Sequence, residues 1–233
     1  MPVHTDGVSG TNETVLPPTP RSSSGPRSAA KRGAIVEVAM KAFAENGYQG
    51  TKVEDVASEL GIAKGSIFQH FGSKAGLFFA AYRRSVESLP AWLDAPDEVR
   101  TEGFWAVLRY WLERTEHLVK EDWIPYRVAL VGDHGTDLSL RRDINRYLVS
   151  EDPYGTLEFI EFGASRGDLR KDLDAEMAAS MLDWLAGGFQ DALLTKELDP
   201  GLFHRHPDLE QQRTVRIDQF VDLLRRAFAS TEG

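Results

Sequence analysis

Apolar residues recur along this chain at helical spacing, and they do so almost from end to end. Ile35, Val38, Ala39, Ala42 and Phe43 mark one face of a first helix, and Gly47 follows as a stop. The segment "TKVEDVASELG" predicts a second, shorter helix with Val53, Val56, Ala57 and Leu60 as its buried stripe and Gly61 as its end. Thr51 and Glu54 have the spacing of a capping box at its start. Only Ile62 and Ala63 intervene before a third helix opens at Lys64, so the two helices must cross steeply, as in a helix-turn-helix.

Beyond Lys74 the pattern stays helical, with breaks at Pro90 and Pro96, around Gly132–Gly135, at Asp152–Pro153, at Gly163–Gly167 and in "LDPGLFHRHPD". Nothing alternates with period two and no repeat has solenoid spacing, so the fold class is all-α. Asp174 to Glu197 predicts a long helix with Met177, Met181, Leu185, Phe189 and Leu193 near one stripe, and Gly187 and Gly188 permit close backbone approach. Ile217, Phe220, Val221, Leu224 and Phe228 make a second stripe. Two such faces suit either a four-helix contact across a dimer axis or burial within one subunit.

Composition divides the chain into three parts. Residues 1–27, rich in Pro, Ser, Thr and Gly, carry too little apolar surface to offset the entropy of ordering and are expected to be a disordered tail. Residues 28–88 hold the three short helices. Residues 89–233 form a larger helical remainder. The 233-residue chain has a net charge of −9, which by itself argues against a polyanionic partner. The distribution reverses that inference. Residues 27–88 carry nine Lys/Arg against six Asp/Glu, whereas residues 89–233 carry seventeen against twenty-eight. There is no cysteine, which excludes disulfides and thiolate chemistry. No run of about eighteen apolar residues predicts a membrane span, and the N-terminus lacks the pattern of a secretory signal, so the expected location is the cytoplasm.

The window "GIAKGSIFQHFGSKAGLF" contains no carboxylate. Its Ile67 and Phe71 point inward with Leu77, and the opposite face carries Lys64, Gly65, Ser66, Phe68, Gln69 and His70. A helix that enters the major groove needs this division: one face for its own core, the other offering donors and acceptors to base edges. Gln69 suits adenine, Ser66 suits a phosphate or a base, and Gly65 allows close approach. Lys64, His70 and Lys74 are placed to neutralise phosphates. A plainer reading stands beside each of these: Phe68 packed on the first helix, His70 bonded to backbone, Lys52 and Lys74 as solvated charges.

Across Ala30–Ser88, the elements "AFAENGYQGT", "VEDVASELGIAKGSIFQHF" and "SKAGLF" together resemble the N-terminal domain of TetR-family transcriptional regulators. The resemblance implies a three-helix DNA-binding domain followed by a helical ligand-binding and dimerisation domain. It implies a homodimeric repressor that binds a palindromic operator in double-stranded DNA and responds to a small-molecule effector, without a cofactor or enzymatic activity. Carried over by position, Lys64–His70 are the recognition helix and Val53–Leu60 its support, with Thr51 and Lys52 at the support helix's start. Phe68 stands where the family usually has tyrosine. Ala63 stands where a serine often caps, which weakens that cap by roughly 1 kcal/mol. Lys52 replaces a small hydroxyl residue.

"FWAVLRYWLERTEHLVKEDWIPYR" concentrates aromatic residues. Trp105, Trp111, Trp123 and Tyr126, with Arg109 and Arg127 to orient an anionic group, are the candidate effector-binding residues, although aromatics at helical spacing are more often plain core. Arg109, Arg127 and His117 read equally as members of ion pairs. His204 and His206 lie two apart with no further His or Cys beside them, a poor metal site. No phosphate loop, nucleophile elbow or acid/base constellation stands out. Two other classes stay open on sequence: an all-α enzyme or small-molecule carrier without DNA readout, and a non-specific architectural DNA binder.

Overall fold

The computed structural model describes residues 25–205 and 208–230, with the side chains of 209 and 210 left out of account. Of the tail expected over residues 1–27, residues 1–24 lie outside the described range, and Pro26 and Arg27 already belong to the first helix. Proline at the first helical position has its φ fixed at a helical value and loses no bond there.

Eleven α-helices follow among the described residues: α1 (Pro26–Gly50), α2 (Val53–Glu59), α3 (Lys64–Phe71), α4 (Lys74–Ser88), α5 (Asp97–Glu102), α6 (Phe104–Glu121), α7 (Trp123–Asp133), α8 (Leu138–Glu151), α9 (Thr156–Arg166), α10 (Ala175–Leu194) and α11 (Leu209–Phe228). The only extended pairing among them is a single bridge between Leu169 and Ala229. The all-α reading is correct. Helix α1 is interrupted at the predicted stop, where Gly47 takes φ 68°.

One break was not read from the sequence, although Pro125 stands in the first turn of the helix that follows it. α6 and α7 part at Asp122, whose carboxylate accepts from the backbone N–H of Ile124 at 3.2 Å and so starts the new helix. Asp174 does the same for α10, accepting from Met177 N at 2.8 Å.

Two hydrophobic cores organise the helices. The first joins Ile35, Ala39 and Phe43 of α1, Val53 and Val56 of α2, Ile67 of α3 and Leu77, Phe78 and Tyr82 of α4. It continues past residue 88, because Val128 and Ala129 of α7 and Leu140, Ile144 and Tyr147 of α8 are buried in the same cluster. The second core gathers Phe104, Leu108 and Leu112 of α6, Phe159 of α9, Leu182 and Phe189 of α10, and Ile217, Val221 and Leu224 of α11. Stacked rings of Phe104 and Phe159, 4.2 Å between centroids, lie in it.

The two long C-terminal stripes part company in the structure. That of α11 is mostly buried, with Ile217, Val221, Leu224 and Phe228 inside. On α10, Phe189 and Leu193 are buried, but Met177, Met181 and Leu185 are 57%, 38% and 43% exposed, and Trp184 beside them is 71% exposed.

Candidate nucleic-acid interface

The helix-turn-helix forms because each short helix has one buried stripe and a turn that glycine permits. Val53, Val56 and Ala57 fix α2 in the first core. Gly61 then takes φ +62°, and the N–H of Ile62 returns to Ala57 O at 3.0 Å. Ile67 is the fully buried residue of α3 and anchors it by one face. Ala63 gives α3 no side-chain cap, as its sequence implied. The next helix is capped by Ser73, whose Oγ accepts from Gly76 N at 3.0 Å. Gly76 lies so close that a Cβ there would sit 2.1 Å from the carbonyl oxygen of Phe71.

Thr51 is not part of a capping box. Its side chain is buried, and its Oγ1 lies 2.8 Å from Gly47 O and 3.0 Å from Ala42 O, so it closes the end of α1. The residue at the N-cap of α2 is Lys52, and no side chain caps that helix. A buried hydroxyl needs a partner, and the carbonyls of Ala42 and Gly47 in the last turns of α1 supply one. Glu54, relieved of the expected capping role, reaches Lys64 instead, with Lys64 Nζ 2.5 Å from Glu54 Oε1.

The other candidates collect around α3. Gly65 and Gln69 are exposed, and a Cβ added at Gly65 would meet nothing within 4 Å. Ser66 Oγ accepts from Lys31 Nζ at 2.8 Å. Phe68 is half-buried against the first core, and Lys64 Nζ lies 5.3 Å from its ring centroid. His70 is partly buried; its carbonyl accepts from the Arg32 guanidinium at 2.7 Å, and that guanidinium sits over the Phe71 ring at 4.4 Å. Burial and the nearby charge of Arg83 lower the pKa of Arg32. Lys74 Nζ donates to Gln49 O at 3.2 Å and lies 5.0 Å from the Tyr48 centroid. Lys52 is exposed. Sequence reasoning missed Lys31 and Arg32, because the contacts that bring them to α3 span 35 and 38 residues. The helix period that places them on the α3 side of α1 is legible only once the crossing is known.

The six effector candidates do not gather at one place. Trp105 and Arg109 line an open groove of about 520 Å³ between α6 and α11, shared with Asp168, Asp218, Val221 and Arg225. Arg109 pairs with Asp218 and Glu113, and Arg225 lies over the Trp105 ring at 5.4 Å. Trp111 belongs to the second core, donating its indole N–H to Trp92 O at 2.6 Å. Trp123 is 42% exposed at the start of α7. Tyr126 Oη donates to Asp191 Oδ1 at 3.0 Å and also meets Thr195 Oγ1 at 3.1 Å; burial leads in pushing its phenol above the ordinary range. Arg127 is half-buried on α7. His204 Nε2 contacts Leu193 O at 3.1 Å, and His206 lies outside the described residues. Among the described residues no three His, Cys, Asp or Glu side chains converge as metal ligands, and no helix is long and apolar enough to cross a membrane.

Residues 35–81 match the family model described as "Bacterial regulatory proteins, tetR family". The chain is 30% identical over 160 residues to the HTH-type transcriptional repressor AcnR of Corynebacterium diphtheriae, which covers 68% of this chain and 78% of that protein. Its fold matches that of FadR from Bacillus subtilis, solved with stearoyl-CoA, with TM-score 0.58 at 19% identity over 82% of this chain and 96% of the other. It likewise matches NalD of Pseudomonas aeruginosa, the secondary repressor of a multidrug efflux pump, with TM-score 0.57 at 20% identity over 89% and 100%. A glycine-closed turn between two short anchored helices, the matching 35–81 segment and a relative similar over most of its length agree: the chain belongs to the tetR family of bacterial regulatory proteins and is a DNA-binding transcriptional regulator.

Proposed function

We propose that the chain is a cytoplasmic, homodimeric repressor that binds a palindromic operator and answers to a small-molecule effector. The observation that carries the dimer is the apolar stripe on α10, where Met177, Met181, Trp184 and Leu185 stand in solvent. A contiguous exposed patch of this kind marks an interaction surface, and a second copy supplies the self-complementary face. Gly187 and Gly188 have open space above their backbone, so a partner helix can come close there. Leu223 of α11, 65% exposed, extends the apolar surface available to a partner, and the stacked rings of Phe189 and Phe220 join α10 to α11.

Two copies place two α3 helices about 34 Å apart on DNA, one helical turn, where a single helix would read too few bases. In this reading residues 28–88 carry the DNA contacts and residues 89–233 the regulation. Gln69 and Ser66 face the bases, with Gly65 allowing approach, while Lys52, His70 and Lys74 meet phosphates. Trp105 and Arg109, in the groove between α6 and α11, carry the effector reading; its volume is that of a small-molecule site. AcnR is named a repressor and FadR was solved with stearoyl-CoA, which supports both repression and effector binding on this fold.

The test is to recover fragments of the source genome on the purified protein at about 0.15 M salt, where much non-specific binding is suppressed. A shared two-fold site is expected. Retention without a common sequence would instead indicate an architectural binder, and no retention by folded protein would favour a carrier or enzyme. Trp184→Glu should run as a monomer in light scattering and lose the two-fold site; a dimer that persists would overturn the α10 interface.

A further inference from the structure

Four cations border α3, and the protein holds each of them. Lys31 rests on the Ser66 hydroxyl, Arg32 on the His70 carbonyl and Lys74 on the Gln49 carbonyl, all neutral acceptors. Lys64 differs. It rests on the Glu54 carboxylate, at 2.5 Å, with its Nζ 5.3 Å from the Phe68 ring centroid. Glu54 and Lys64 face each other across the turn, one in the first turn of α2 and the other opening α3. The hydrogen bond from Lys64 is the largest cause holding the Glu54 carboxyl below the ordinary range. Three of the cations therefore keep an unopposed charge at the surface that faces DNA, and one is cancelled where it stands.

We propose that Glu54 keeps Lys64 out of the phosphate contacts, so that α3 docks with one fewer condensed counterion released than its cations would suggest. An ammonium has three N–H donors, so Lys64 could touch a phosphate only by carrying the Glu54 carboxylate toward the polyanion or by leaving it bare there. Staying on Glu54 instead ties α3 to α2, and Lys64 becomes a positioning residue. The sequence-independent part of the binding is smaller by that contact, which leaves base edges a larger share of the total. This rests on α3 being the helix that meets DNA.

The test is a cycle of Glu54→Gln, Lys64→Gln and the double variant, measured as affinity against salt on a duplex of unrelated sequence. Each phosphate contact contributes about 0.9 to the slope of log K against log salt. Glu54→Gln should steepen the slope by about 0.9 and tighten binding about fivefold at 0.15 M salt. Lys64→Gln alone bares Glu54 and should weaken binding, and added to Glu54→Gln it should return the slope to the wild-type value. An unchanged slope in Glu54→Gln overturns the proposal, as does a double variant that keeps the steeper slope. Glu54→Asp guards against a purely structural effect: it keeps the acid at the start of α2 and should stay near wild type in melting temperature and slope. If Glu54→Gln instead loses affinity only for the genomic fragments, Glu54 reads a base and the proposal falls. Gln69→Ala separates the premise: if it leaves binding to those fragments unchanged, α3 is not the reading helix, whatever Glu54 does.

Discussion

Tyr82 Oη donates to Asp133 Oδ1 at 3.1 Å, joining α4 to the last residue of α7. Tyr82 is fully buried, and its ring fills the space beside Gly132 so closely that an alanine Cβ there would lie 2.7 Å from two ring carbons. Gly132→Ala should therefore force α4 and α7 apart and cost about 1–3 kcal/mol. Thermal melting reads the loss, and a variant that melts with wild type would show that the ring yields freely.

Ile144 lies far from the helix-turn-helix in sequence yet is 1% exposed in the same core as Phe43 and Ile67. Ile144→Ala should destabilise the protein by about 2–5 kcal/mol. Hydrogen exchange should show lowered protection in α1 and α4 as well as in α8. Loss confined to α8 would mean that the DNA-binding helices hold together without it.

Lys31 is one of the two cations that sequence reading left out. Lys31→Gln should make the salt slope shallower by about 0.9 and weaken binding about fivefold at 0.15 M salt, alike on every sequence. A loss restricted to one sequence would mean that Lys31 works through Ser66 on the bases and not on the phosphates.

Asp199 accepts backbone N–H bonds from Gly201, Leu202, Phe203 and His204 at 2.9, 2.6, 3.1 and 2.7 Å. Desolvation pushes its carboxyl up, but those four bonds outweigh it and hold the carboxyl below the ordinary range. A carboxyl depressed in the folded state stabilises it above the unfolded value of about 4, and the contribution disappears as pH falls through the folded value. Asp199→Asn should lower the melting temperature by a few degrees at pH 7. At about pH 3 and below the gap to wild type should shrink. An equal gap at both pH values would trace the loss to shape and not to charge.

What could be read in advance was what local sequence determines. The stripe Val53, Val56, Ala57, the glycine at 61 and the anchor Ile67 lie within fifteen residues, so periodicity and turn chemistry suffice to define α2, the turn and α3. Thr51 was misread because its partner Ala42 O lies nine residues back, at the end of a helix whose orientation spacing does not give. The entry of Val128 and Ile144 into the first core was invisible for the same reason on a larger scale. The aromatic run between Phe104 and Tyr126 shows the converse failure. Crowding in sequence did not become crowding in space, since Asp122 breaks the run into two helices and sends Trp111 and Trp123 to different environments.

Helix α7 is gripped at both ends of its working length. On one side it packs against α1 and α4; on the other, Tyr126 and His134 both hold the Asp191 carboxylate of α10, with His134 Nε2 2.8 Å from Asp191 Oδ2. Its 11 residues make a rod about 16 Å long. Because one carboxylate takes both Tyr126 near the start of α7 and His134 just past its end, a helix of the first core is tied along its length to a helix of the second.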